Sequence, residues 1–231
     1  MNSHLYRFDR VQPGGAAAAA RANRERLRLA GVYAINLIGG PGCGKTSLIE
    51  ATMRQLLLKR RVGAIAADPH SRYDADRLSV LGDQVIHVDP GVSPALAECQ
   101  VGAALGRLDL SAIDLLLIEN VSSLVGPGGV DLGESAKVAV FSVAAGHDKP
   151  ARHPDVVHDA RVVVLNKMDL STLTPFNLAA FRAAVARLNP DAAVLEMSTL
   201  TGQGMDAWVE WLLSRSSPRA ADALRGAGSG T

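Results

Sequence analysis

Two short stretches hold residue types whose spacing could handle a nucleotide. The first runs from Gly39 to Thr46 as Gly-Gly-Pro-Gly-Cys-Gly-Lys-Thr, the spacing G-x-x-x-x-G-K-[ST] of a phosphate-binding loop. An apolar run, Tyr33 to Ile38, precedes it and a helical pattern follows, as such a loop requires. Gly40, Pro41, Gly42, Cys43, Gly44, Lys45, Thr46 and Ser47 are therefore the expected phosphate-side residues. Glycine lets the backbone fold back so that N–H groups converge on phosphate oxygens, and a side chain at Gly42 or Gly44 would obstruct them. The Lys45 ammonium would reach the β- and γ-phosphates, the Thr46 hydroxyl would ligate Mg²⁺, and the helix N-terminus adds positive potential. Cys43 occupies a variable loop position and reads as a small residue.

The second stretch is Asn166-Lys167-Met168-Asp169. A carboxylate in the plane of a base can accept from both the N1–H and the 2-amino group of guanine. Adenine has no such amino group and presents an acceptor at N1, so a carboxylate here would face a lone pair at a cost of about 1 to 3 kcal/mol. Asp169 thus selects GTP or GDP, and the stem of Lys167 would lie along the ring. Ser198-Thr199-Leu200 is placed to offer a backbone N–H to the guanine O6.

The elements that must position these groups alternate along the chain. Strands are expected at Tyr33 to Ile38, Val62 to Ala67, Gln84 to Val88, Leu115 to Ile118, Val138 to Val143, Arg161 to Leu165 and Ala192 to Met197. Helices are expected at Lys45 to Lys59, Asp74 to Leu81, Pro94 to Leu108, Pro175 to Leu188 and Met205 to Ser214. This pattern predicts an α/β fold of the P-loop NTPase type, a mostly parallel sheet with helices on both faces. Ligands of such sheets bind beyond the carboxyl ends of the strands. Asp68 and Glu119 follow the second and fourth strands there, and both are candidate catalytic carboxylates and Mg²⁺ ligands beside Lys45 and Thr46; either could touch the metal directly.

Residues 1–15 end in Pro-Gly-Gly and are expected to form a flexible arm, and 16–31 a leading helix packed through Leu27 and Leu29. Residues 32–214 then form the GTPase domain, and 215–231, rich in Ser, Ala and Gly, a disordered tail. A net charge of +1 supplies no field for nucleic acid or an anionic membrane. No apolar stretch approaches the roughly 20 residues of a membrane helix. Hydrophobic content of 48% with 4% aromatic residues suits a sheet packed with aliphatic side chains. Two cysteines without C-x-x-C spacing argue for a reducing, cytoplasmic setting.

Beyond these motifs, a longer series of segments resembles one family. They are Ala22-Asn-Arg24, Asn36-Leu37, the loop through Glu50, Asp74-Ala-Asp-Arg77, Leu117-Ile-Glu-Asn-Val121 with Pro127, Asp131-Leu-Gly-Glu134, Gly146-x-Asp-Lys-Pro150, Pro154-Asp155, Leu165-Asn-Lys-x-Asp-Leu170 and Thr201-Gly-x-Gly-Met-Asp-Ala-Trp208. Together they are similar to the HypB-type GTPases of hydrogenase maturation over roughly residues 21–213. The resemblance implies slow GTP hydrolysis and GTP-dependent homodimerisation. It also implies nickel delivery to a [NiFe] hydrogenase precursor with a small maturation partner, and Lys149 as a further nucleotide contact. Members of that family carry a Cys-His pair after the third strand and a further Cys before the proline of the Glu-Asn-Val segment, which bind nickel or zinc. Pro94, Ala95 and Gly126 align there, and none can ligate a metal, so no Ni²⁺ or Zn²⁺ ligand is identified. The remaining cluster with suitable chemistry is His147, His153 and His158 with Asp148, Asp155 and Asp159, and Cys99 is the spare thiolate. A metal-free scaffold that binds GTP or GDP with little turnover is the alternative reading.

Overall fold

The computed structural model describes residues 5–7, 15–67, 77–82, 84–91, 96–120 and 130–217. Eight parallel strands form one sheet: β1 (Leu5–Arg7), β2 (Tyr33–Ile38), β3 (Val62–Ala67), β4 (Val85–Asp89), β5 (Leu115–Glu119), β6 (Ala136–Ser142), β7 (Ala160–Asn166) and β8 (Ala193–Glu196). Their spatial order is β1-β4-β3-β5-β2-β6-β7-β8. The helices are α1 (Gly15–Leu29), α2 (Lys45–Leu56), α3 (Glu98–Leu105), α4 (Lys149–Arg152), α5 (Pro154–His158), α6 (Leu178–Leu188) and α7 (Met205–Arg215).

Alternation along the strands explains the three layers. Ile35, Leu37, Leu115, Leu117, Val138 and Val140 share one face with Leu48, Ile49 and Met53 of α2 and Trp208 and Leu212 of α7. Ala34, Leu116 and Ile118 point the other way, against Leu27 of α1 and Val101 and Leu105 of α3. Farther along that opposite face, Ala139, Phe141, Val163 and Leu165 meet Val156 and Val157 of α5 and Phe181 and Val185 of α6. Side chains of successive strand residues project to opposite faces, so a fully apolar strand such as β5 supplies both cores at once.

Several boundaries differ from expectation, each for a local reason. Leu5–Arg7, inside the segment expected to be an arm, adds an edge strand paired in parallel with β4. Its three residues are too few to show a period of two. Leu29 is 72% exposed while Leu27 is buried, because α1 rests on Ala19, Ala20, Asn23 and Leu27. Leu29 lies about 200° around the helix from Leu27. Helix α6 starts at Leu178 and not Pro175, since the Asn177 side chain accepts from the Ala180 N–H and caps the helix there. α2 stops at Leu56, α3 spans only Glu98–Leu105, and α7 runs one residue past Ser214. Of the helix expected at 74–81, residues 77–79 are helical and 74–76 lie outside the described residues.

Helix α7 is fastened to the helix that follows the phosphate loop. Trp208 is fully buried, stacks on Trp211 with ring centroids 5.5 Å apart, and donates its Nε1–H to Thr52 Oγ1 of α2 at 2.8 Å. Trp208→Ala is expected to lower unfolding free energy by about 3 to 5 kcal/mol, measured as a reduced urea midpoint, because a large cavity would remain and Thr52 would keep only its own bond to the Leu48 carbonyl. A loss under about 1 kcal/mol would show that this contact matters little.

Candidate functional site

The sheet reverses its winding at β2, which has β5 on one side and β6 on the other. Such a switch point opens a crevice at the carboxyl end of the sheet, and the loop from Gly39 to Gly44 lies there, between β2 and α2. Gly44 has φ +94°, and a Cβ there would lie 2.4 Å from the Asn166 Nδ2. Glycine at that position is thus required by the backbone and by Asn166 together. Gly42 has φ +70° with nothing near its missing Cβ, so its requirement is conformational. Pro41 and Gly42 are exposed, Gly40, Gly44 and Ser47 half-buried, and Cys43, Lys45 and Thr46 buried.

The Lys45 ammonium donates to the Gly39 carbonyl at 3.0 Å and the Gly40 carbonyl at 3.4 Å, which holds it over the loop. Thr46 Oγ1 donates to Glu119 Oε1 at 2.6 Å, and both residues are buried. A hydroxyl and a carboxylate brought together at the end of β5 form a hard-oxygen donor set, the type that suits Mg²⁺. Asp68, the other expected carboxylate, lies outside the described residues, as do Pro94, Ala95 and Gly126. Cys43 turns inward to the core, and burial pushes its thiol upward against the opposing charge of Lys45. Its side chain therefore faces away from any phosphate.

Asn166 ends β7 fully buried and spends its amide on the protein. Nδ2 donates to the Cys43 carbonyl at 3.1 Å and lies 3.4 Å from Thr199 Oγ1, while Oδ1 accepts from the N–H groups of Lys167 and Thr199 at 2.8 and 3.1 Å. It is thus a bolt between the loop at Gly39 to Gly44 and the turn at Ser198 to Thr201. Lys167 follows with φ +62°, the left-handed region, and is the one described residue other than glycine found there. That bend lets Asn166 face inward while Asp169 meets the next loop.

Asp169 Oδ1 accepts from the Ser198 hydroxyl at 2.6 Å. Ser198 Oγ in turn accepts from the Thr201 N–H, and the Ser198 carbonyl accepts from Gly202. With the Thr199 N–H given to Asn166, the Leu200 amide is the donor in this turn with no protein acceptor among the described residues; its side chain is 84% exposed. Lys149 opens α4 beyond β6, half-buried, and its ammonium makes no hydrogen bond or ion pair among the described residues. The structure therefore gathers the loop, Thr46, Glu119, Asn166, Asp169 and Ser198 at the carboxyl ends of the strands.

Two buried asparagines at this edge escaped the sequence reading as positioning groups: Asn23 on α1 and Asn120 after Glu119. The available signal was a polar residue directly beyond a strand-end carboxylate. The histidine cluster does not assemble. His158 is exposed, His147 lies 6.0 Å from Phe176 ring to ring, Cys99 is buried in α3, and among the described residues no group of three His, Cys, Asp or Glu side chains could hold a metal ion.

Comparison with known proteins shows the family and the fold. Residues 33–196 match the family model described as CobW/HypB/UreG, nucleotide-binding domain. The hydrogenase maturation factor HypB of Azotobacter vinelandii is 38% identical over 210 residues, covering 91% of this chain and 69% of that protein. The chain spans about two thirds of the length of the curated relatives it matches. The crystal structure of HypB from Archaeoglobus fulgidus superposes with TM-score 0.81 at 33% identity, covering 86% of this chain and 97% of that one. HypB from Helicobacter pylori, solved in complex with nickel, gives 0.82 at 25% identity, covering 89% and 99%. Among the described residues no helix is long and apolar enough to cross a membrane.

Proposed function

Because this chain belongs to the CobW/HypB/UreG family of nucleotide-binding domains, we propose that it is a Mg²⁺-dependent GTPase in the maturation of a [NiFe] hydrogenase. It would act in the cytoplasm as a GTP-dependent homodimeric switch in nickel insertion, with a small maturation partner. The observation that carries the reading is the meeting, at one sheet edge, of the loop lysine, the Thr46–Glu119 pair and the Asp169–Ser198 pair. Those are the three groups needed for phosphate, Mg²⁺ and guanine.

In this reading Gly40 to Ser47 cradle the phosphates, and Lys45 neutralises charge on the β- and γ-phosphates as it develops. Thr46 and Glu119 would hold Mg²⁺, with Asp68 as the second candidate carboxylate, and the ion would supply further charge neutralisation. Asp169 reads the N1–H and 2-amino group of guanine, the Leu200 amide is the donor available for O6, and the stem of Lys167 covers the ring. Lys149 serves as a further nucleotide contact. Catalysis by positioning and electrostatics alone accounts for a slow intrinsic rate.

A second reading is favoured by Pro94, Ala95 and Gly126, which cannot ligate a metal and stand where the resemblance implies metal ligands. It is a guanine-nucleotide scaffold without a transition metal. Titration with Ni²⁺ and Zn²⁺ in the presence of GDP or a non-hydrolysable GTP analogue, with molecular mass followed throughout, separates the two. The switch reading expects a monomer with GDP, a dimer with the analogue and Mg²⁺, and measurable GTP turnover. Nucleotide binding without turnover, change of mass or metal uptake would favour the scaffold.

A further inference from the structure

We propose that Asn120 is a positioning residue for Glu119, and that Asn23 completes the same clamp from the leading helix, so that α1 helps to fix the acidic end of β5. This deepens the Mg²⁺ reading above and rests on it. Asn120 is 6% exposed and Asn23 4%. Buried amides stay favourable only when their polar atoms are used, and both are used on backbone groups that flank the site.

The Asn120 N–H donates to the Leu37 carbonyl at 3.2 Å, which extends the β2–β5 ladder past the Leu37↔Glu119 pair. Its Oδ1 accepts from the Leu96 N–H at 3.0 Å. Since the partner there is a donor, that atom must be the oxygen and the orientation of the amide is fixed by chemistry. Leu96 stands two residues before α3. On the other side of the same helix start, Asn23 Nδ2 donates to the Glu98 carbonyl at 2.8 Å and to the Leu132 carbonyl at 2.9 Å. A Cβ at Gly102 would lie 2.8 Å from Asn23 Oδ1, so α1 and α3 pack tightly against each other at this asparagine.

The start of α3 is thus gripped from β5 by an acceptor and from α1 by a donor. Neither asparagine bonds to the phosphate loop. Each acts through Glu119, whose carboxylate must meet Thr46 at 2.6 Å. Releasing the Asn120 side chain frees the residue next to Glu119 and loosens that meeting. Releasing Asn23 frees the helix start that Asn120 holds. The two effects therefore belong to one mechanical unit, and substitutions at the two positions will not add.

The test uses the full chain saturated with GDP and reads the Mg²⁺ concentration that gives half of the thermal stabilisation by the metal. Asn120→Ala is expected to raise that midpoint about five- to tenfold, the scale of one lost buried hydrogen bond. Asn23→Ala should shift it in the same direction, and the double variant no further than the larger single effect. Asn120→Asp keeps an acceptor facing Leu96 and adds charge beside the metal, so its midpoint stays at or below that of the wild type. Hydrogen exchange without nucleotide or metal gives a second readout: the Leu96 amide should be protected in the wild type and Asn120→Asp and exchange fast in Asn120→Ala. An unchanged midpoint in Asn120→Ala, or additive single effects, would overturn the inference. If Asn120→Ala does not fold, a raised midpoint in Asn120→Asp or an unchanged one in Asn23→Ala overturns it instead. Wild-type protein that binds GDP and Mg²⁺ but turns over no GTP would sink the GTPase reading alone.

Discussion

Lys45→Ala is expected to abolish guanine-nucleotide binding, weakening it by at least about a hundredfold. A charge-assisted hydrogen bond contributes about 1.5 to 3 kcal/mol. An ammonium that reaches two phosphates makes two of them, and each 1.4 kcal/mol is about tenfold in affinity. The geometry supports that reach, because the Lys45 Nζ already lies over the loop on the carbonyls of Gly39 and Gly40. Those same bonds mean that the substitution also loosens the loop, so the comparison requires the unfolding midpoint alongside isothermal titration with a non-hydrolysable GTP analogue. Retained micromolar affinity in a folded variant would refute the assignment of Gly39 to Thr46 as the phosphate site.

The second large effect is expected at the base. Asp169→Asn should exchange guanine for xanthine selectivity, with a swing of about a hundredfold or more in the ratio of the two affinities. The Ser198 hydroxyl donates to Asp169 Oδ1, and an asparagine there would offer its carbonyl oxygen to that donor. Its NH₂ would then be turned to the base. Guanine presents a 2-amino group at that edge and would meet donor with donor, whereas xanthine presents a carbonyl that accepts. A mismatch of this sort costs about 1 to 3 kcal/mol, and the matching gain for xanthine is of the same order. Competition of GTP and XTP for the variant reads the ratio directly, and unchanged GTP selectivity would count against Asp169 as the base-reading group. Ser198→Ala in the same background should blunt the switch, since the amide would lose the contact that orients it.

The candidate nucleotide end can be proposed from residue order because its chemistry is local. The phosphate loop closes within eight residues on glycines and one lysine, and the strand and helix beside it have periods that show in any short window. Glu119 could be picked out as the polar residue ending an apolar strand, and the fold brings it into hydrogen-bond contact with Thr46 at 2.6 Å. Asn166 was assigned to the nucleotide on its motif, yet its amide is committed to Cys43, Lys167 and Thr199. A motif names a residue but not the neighbour its amide will find across 123 positions of sequence. Leu29 misled for a related reason: an apolar residue near the end of a helix carries no mark of which face the rest of the fold will cover.

What the sequence determined by itself is the layered parallel fold, the phosphate loop and the choice of a carboxylate at Asp169, because periodicity and side-chain chemistry act over short spans. What only the tertiary structure decided is which distant groups meet. It gives Asp169 to Ser198, turns Cys43 into the core and joins Asn23 and Asn120 at the start of α3. Those pairings depend on the order in which strands enter the sheet, β5 and β6 on either side of β2. Strand order follows from packing of the whole chain around two faces, and no local stretch of residues encodes it.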